Sequence, residues 1–177
     1  MKRIIIPTLI MLLCNISAFA GHDMKITSGS LTPLKEGGVA TVSINMDDTM
    51  FDNKMPLRED SRFADIDKYI EEFKSEFVRE FNEHSKKFRL TKEDETDCEY
   101  KFTVNVTNLD VYITLFSFKG GVATKIWGTL TVSKGDEVIT VITLNAFESS
   151  GLTYAISLEE TFEVFAKNLA KRINKGK

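Results

Sequence analysis

Between Val39 and Met46 apolar and polar positions alternate. Ala40, Val42, Ile44 and Met46 fall on one side; Thr41, Ser43 and Asn45 fall on the other. A period of two predicts a half-buried strand. Residues 47–60 (DDTMFDNKMPLRED) break the pattern, and Pro56 discourages regular structure, so a loop is expected. The period then lengthens. Phe63, Ile66, Ile70, Phe73, Phe77 and Phe81 recur at steps of three and four, which draws one apolar stripe along a helix that Asp60 or Ser61 can cap. Phe88 and Leu90 open a short strand, and the acidic stretch 91–99 reads as a turn. Tyr100, Phe102, Val104 and Val106 alternate again, as do Ile126, Leu130 and Val132 against Lys125, Trp127, Thr129 and Thr131. Lys134-Gly135-Asp136 then joins two β-branched runs, the signature of a hairpin. Residues 148–156 read as a Ser/Gly loop. Ser157-Leu158-Glu159-Glu160 has the form of a capping box ahead of a second stripe: Leu158, Phe162, Phe165, Leu169 and Ile173.

Strand, helix, meander, helix predicts an α+β two-layer sandwich. The expected sheet is antiparallel, of about four to five strands, with two helices packed on one face. Residues 39–177 are expected to form this single domain, with 21–38 as an extended lead-in carrying Gly29, Pro33, Gly37 and Gly38.

The first twenty residues change where such a domain is placed. Met1-Lys2-Arg3 is basic, Ile4–Leu13 is almost wholly apolar, and Ala18-Phe19-Ala20 is small-x-small. That is the layout of a secretory signal peptide, too short in its apolar run for a transmembrane helix, with cleavage expected after Ala20. The competing reading makes Cys14 a lipidation site. A lipobox needs a small residue before the cysteine, and Leu13 is bulky. Periplasmic or secreted localisation follows, with no transmembrane span. Removing Lys2 and Arg3 takes the 23 basic residues to 21, against 26 acidic ones. Mild acidity of this kind gives no footprint for nucleic acid. Only Cys98 remains after cleavage, so no internal disulfide can close and the core must hold the fold.

Candidate chemistry is sparse. His22 and His84, with Cys98 in an acidic flank, make neither a zinc set nor an activated thiol. Asp47, Asp48 and Asp52 lack the spacing of a calcium loop. Ser149-Ser150-Gly151 lacks the leading glycine of a nucleophile elbow, and Gly120-Gly121 lacks the ending of a phosphate loop. Asp48-Thr49-Met50 and Asn105-Val106-Thr107 match short glycosylation triplets. No catalytic residue, metal or cofactor is therefore expected. One stretch does stand out. In 109–118, Val111, Ile113 and Leu115 would face one way, and Tyr112, Phe116 and Phe118 the other, with Trp127 joining across the hairpin. A two-layer sandwich covers one face only, so Tyr112, Phe116, Phe118 and Trp127 are the expected binding patch; the alternative is that the loop 148–156 or the amino-terminal lead-in folds over them.

The stretches CEYKFTVNVTNLDVY, GGVATKIWGTLTVSKGDEVITV and SLEETFEVFAKNLAKRI, taken in order, resemble a broad group of bacterial envelope proteins. The group includes the LpoB-type synthase activators, the TolB amino-terminal domain and CsgG-like secretion proteins. The resemblance is one of pattern over most of residues 39–175, and it implies a non-enzymatic role through contact with an envelope protein partner. Homo-oligomerisation is compatible with that role. Carriage of a lipid or small apolar ligand, with the same aromatics lining a cleft under the helices, is the alternative.

Overall fold

The structure, a computed structural model, describes residues 23–92, 98–114 and 121–176. The expectations placed on residues 1–22, on Phe116 and Phe118, and on 93–97 lie outside the described residues.

Eight strands form one mixed sheet: β1 (Asp23–Gly29), β2 (Gly38–Asn45), β3 (Met50–Phe51), β4 (Met55–Pro56), β5 (Phe88–Thr91), β6 (Tyr100–Thr114), β7 (Gly121–Lys134) and β8 (Glu137–Gly151). The main order is β1-β8-β7-β6-β2-β5, with the β3–β4 hairpin set against β6. Two helices, α1 (Ile66–His84) and α2 (Tyr154–Lys175), complete the fold. The expectation of an antiparallel sheet of four to five strands is thus corrected on both counts. The sheet is larger, and β2 runs parallel to both β5 and β6. The reason is the crossover. α1 carries the chain from β2 back to β5 in the same sense, which only a parallel pairing allows. Alternation along a strand records which face a residue takes, not the strand's direction. The additional strands are short or lie in the expected lead-in, where Met24 and Ile26 face the core. The 47–60 segment likewise supplies β3 and β4 rather than loop alone.

Both helices cover the same sheet face. Their phenylalanine stripes meet: Phe73 stacks on Phe162 at 5.4 Å between centroids, and Phe77 meets Phe165 edge-on at 5.3 Å. These pairs ascend together along both helices, so α1 and α2 run parallel, with their amino-terminal ends at one end of the sheet. Beneath them Phe81 packs edge-on against Phe102 at 6.1 Å. Phe77, Phe81, Phe102, Phe147, Phe162 and Phe165 are fully buried.

Helix starts differ from expectation by about one turn. Asp60 does cap, but a 3-10 turn: its carboxylate accepts from the Arg62 amide at 2.9 Å, and α1 proper begins at Ile66. Thr153, not Ser157, caps α2 by accepting from the Ile156 amide at 3.3 Å. Ser157 is fully buried and donates to the Ser149 carbonyl at 3.3 Å. Residues 148–151, expected in a loop, belong to β8 and lead almost directly into α2.

Two extra residues kink the central ribbon at one level. Thr107 is unpaired on β6 between Val106 and Asn108, and β8 sets two residues, Asn145 and Ala146, against the single Trp127 of β7, one more than the register needs. Ala146 adopts φ 52° there, left-handed backbone that crowds a Cβ. Ala146→Gly is therefore expected to raise stability by about 0.5–1 kcal/mol in urea unfolding, because relief of the crowded Cβ outweighs glycine's larger unfolded-state entropy.

Candidate functional site

The distal part of the ribbon, beyond the bulges, carries the residues singled out in the sequence. Register places Asn108 opposite Trp127, Asp110 opposite Lys125 and Tyr112 opposite Ala123, with Glu148 and Ser150 continuing the last two rows on β8. These side chains share the sheet face away from the helices. Tyr112 and Trp127 therefore do occupy one face, and both are half-buried.

Tyr112 is held in a polar network. Its hydroxyl donates to the Glu148 carboxylate. The Lys125 ammonium lies 4.7 Å from the Tyr112 ring centroid and 3.6 Å from Glu148 Oε2. Burial raises the phenol's pKa above its usual value, and the Glu148 carboxylate raises it further, so it stays a donor. Tyr112 is a tethered side chain, not a loose aromatic.

Among the described residues, the opposite face of the same ribbon end is apolar and partly exposed. Ile113, Val122 and Gly151 share a row across β6, β7 and β8. Ile113 is 70 % exposed; beyond the row, Leu152 is 66 % and Ile156 39 % exposed. Gly151 lies against the Ile156–Ser157 turn of α2, whereas Ile113 and Leu152 project into solvent. Sequence reasoning assigned Ile113 to the core-facing side because alternation does not say where a covering helix ends. Leu152, an isolated apolar residue after Gly151, was the available signal for the rest.

Beside this patch, the first turns of α1 and α2 flank a half-open cavity of about 240 Å³, lined by Phe63, Ile66, Tyr69, Phe73, Tyr154 and Leu158 together with Arg62. The Arg62 guanidinium lies 4.5 Å from the Phe51 ring centroid and 5.3 Å from that of Tyr154. It forks onto Asp60: Nε to Oδ1 at 2.8 Å and Nη2 to Oδ2 at 2.5 Å. That fork holds the Asp60 carboxyl down to about 2. Stacking and fork together fix the arginine in one orientation.

Among the described residues, metal-ligating geometry occurs in two groups of carboxylates, one with a histidine, on the helices. The carboxylates of Glu76, Glu159 and Glu163 approach within 4.8 Å of one another, as do the ligand atoms of Glu80, Glu83 and His84. Arg79 already stands between these groups. It reaches Glu76 at 2.6 Å, Glu80 at 3.0 Å, Glu83 at 3.1 Å and Glu163 at 3.4 Å, supplying the counter-charge itself. Two of the three loop carboxylates considered for calcium are engaged by cations. Asp47 pairs with Arg58 at 2.8 Å, and Asp52 pairs with Lys54. Thr49, central to one glycosylation triplet, is buried and donates to the Val106 carbonyl at 2.7 Å. Cys98 is half-buried.

These acids predict a bell-shaped stability profile. Burial raises the pKa values of Glu159 and Glu163 above their usual 4.5; Glu76 and Glu72 add to this at Glu159, and Glu80 at Glu163. A carboxyl raised on folding binds its proton more tightly in the folded state, so stability rises as pH falls toward 4.5. Asp60 is lowered from 3.8 to about 2, so its contribution is present above 3.8 and lost as pH falls through that window. The urea midpoint is expected to climb as pH falls from 7 to about 5, then drop below about pH 4. Glu159→Gln should flatten the climb and leave the acid limb in place.

Among the described residues, no helix is long and apolar enough to cross a membrane. No family model and no curated protein sequence matches the chain. Solved structures that match include a PelC dodecamer from Paraburkholderia phytofirmans, with 14 % identity over 84 % of this chain and 96 % of that one at a TM-score of 0.44. The hypothetical protein CT253 from Chlamydia trachomatis shares 10 % identity over 79 % of this chain and 97 % of that one, at a TM-score of 0.38. A putative neuraminyllactose-binding hemagglutinin homolog from Helicobacter pylori shares 8 % over 84 % and 89 %, at 0.36. None of the three is named as an enzyme. Likenesses of this strength carry no functional inference.

Proposed function

We propose that this protein is an exported, non-enzymatic envelope protein that acts by contact with another envelope protein, through the distal end of the β6–β7–β8 ribbon. The observation behind the reading is the group of exposed apolar side chains at this end, Ile113, Leu152 and Ile156, with half-buried Val122 paired to Ile113. Large apolar side chains left together in solvent favour a partner surface. The aromatic face first expected to do this work is weaker support, because Tyr112 is tied to Glu148. Export itself rests on the signal-like pattern of residues 1–20, and the envelope role accords with the resemblance in strand and helix order.

The test is crosslinking in the source organism's envelope with Ile113→Asp/Leu152→Asp beside the native protein. Both positions are exposed, so thermal unfolding should be unchanged. Loss of a crosslinked partner in the variant is expected. The same partner retained in the variant overturns the reading, and a partner that proves to be a second copy moves it to self-association. The spectra also read the amino terminus, expected at Gly21; a lipid-bearing Cys14 would place the protein on a membrane instead.

Carriage of a small apolar ligand is a second reading, favoured by the cavity between the helix starts. Tyr112 and Trp127 do not line that cavity; Phe63, Tyr69, Phe73 and Tyr154 do.

A further inference from the structure

We propose that the cavity between the first turns of α1 and α2 takes a small monocarboxylate with a compact apolar body, such as a single-ring or short branched acid. The inference rests on the carriage reading and names its ligand class. A volume of about 240 Å³ sets the size. It lies below the roughly 300–1,000 Å³ of pockets for drug-sized ligands, which limits the occupant to one ring or a few branched carbons. The walls set the body. Tyr69 and Phe73 lie with rings nearly parallel, 6.3 Å apart, and Ile66 and Leu158 complete an apolar lining suited to a flat or branched hydrocarbon.

The edge of the cavity sets the head group. Arg62 uses Nε and Nη2 on Asp60, which leaves Nη1 outside the fork. Tyr154 lines the same pocket, with its ring centroid 5.3 Å from the guanidinium, so an arginine edge and a phenol stand together at the aromatic wall. The arginine is held by Asp60 and by stacking on Phe51 before any ligand arrives, and little further ordering is needed to use its remaining donors. No carboxylate side chain is among the lining residues. The amides of Tyr154 and Ala155, in the first turn of α2, have no partner within the helix and add donors on the same side. Donors thus outnumber acceptors at this rim, which favours a carboxylate over an alcohol, an amine or a plain hydrocarbon.

The test uses 3-phenylpropanoate and its neutral analogue 3-phenylpropanol, titrated into the purified protein and followed by amide shifts in NMR. The acid is expected to perturb the amides of Phe63, Tyr154 and Ala155 and to bind at least about tenfold more tightly than the alcohol. Asp60→Asn/Arg62→Gln, which removes the ion pair without stranding a charge, should lower affinity for the acid by about tenfold and leave that for the alcohol unchanged. Tyr154→Phe should lower affinity for the acid by a few-fold. Equal binding of acid and alcohol would overturn the carboxylate inference while the carriage reading stands. Binding of neither at these amides would overturn both. Ile113→Asp/Leu152→Asp should leave the titration unchanged, which separates this site from the proposed protein contact.

Discussion

Gly128→Ala destabilises this protein by about 3 kcal/mol or more, against the direction that strand propensity predicts. An alanine is ordinarily better than a glycine in a strand interior by roughly 0.5–1 kcal/mol, because glycine loses more backbone entropy on folding. At position 128 that gain is overwhelmed. A Cβ built there would lie 2.1 Å from the Asn105 carbonyl oxygen and 3.0 Å from the Val106 Cα. Both are backbone atoms of the neighbouring strand β6, so no side chain can swing aside. β7 is central, held by β6 on one side and β8 on the other, and it cannot peel away to make room. The close approach falls where Thr107 bulges out of β6, which makes the glycine a requirement of the kink. Urea unfolding of the variant, read by far-UV circular dichroism, is the measurement. Gly135→Ala is the companion: nothing lies within 4 Å of its Cβ, and only φ 56° opposes it, so about 1 kcal/mol is expected there. Equal losses at the two sites would show that the contact with Asn105 is not what matters.

Phe77→Ala costs about 3–5 kcal/mol, a large share of the roughly 5–15 kcal/mol that holds a domain of this size. Phe77 is fully buried at the centre of the seam between α1 and α2, edge-on to Phe165. Its removal takes away the transfer energy of a phenyl ring and leaves a hole walled by other rings. Phe73–Phe162 and Phe147–Phe165 are fixed around it and can collapse only partly. Phe77→Leu, which keeps most of the volume, should cost about 1 kcal/mol. Because α1 is the crossover that sets β2 beside β5, loss of this seam should also speed amide exchange in β5, the outer strand with only four residues.

The legible part of this fold was the part whose pattern repeats. Phe73, Phe77 and Phe81, and Phe162, Phe165 and Leu169, recur often enough to declare a helix face, and those faces are where expected. The turn Gly135-Asp136 joins β7 to β8 as its glycine suggested. What the pattern could not carry was direction and extent. Nothing in the alternation of β2 distinguishes parallel partners from antiparallel ones. β3 and β4 hold two residues each, too few to show a period. The site was legible by half. Tyr112 and Trp127 were rightly placed on one face, but a sequence cannot show that Glu148 waits across the ribbon to bind the phenol. Ile113 reads as core because its neighbours Leu109 and Val111 are core. In the fold it projects into solvent at the end of the ribbon. Arg62 gave almost no signal: Asp60 stands two residues away, but Phe51 and Tyr154 come to the guanidinium only in three dimensions.

The pairing of β1 with β8 has a consequence for the order in which this molecule is made. Thr27 and Thr143 touch across that seam although 116 positions separate them. β1 leaves the ribosome more than a hundred residues ahead of β8, and it waits through that interval before its partner strand exists. Loop closure over that distance is slow, and for the interval the strand is an open edge on which another chain can pair. A nascent chain of this kind leans on whatever holds early segments apart, and the hazard ends only when β8 has arrived and the sheet closes along its first strand.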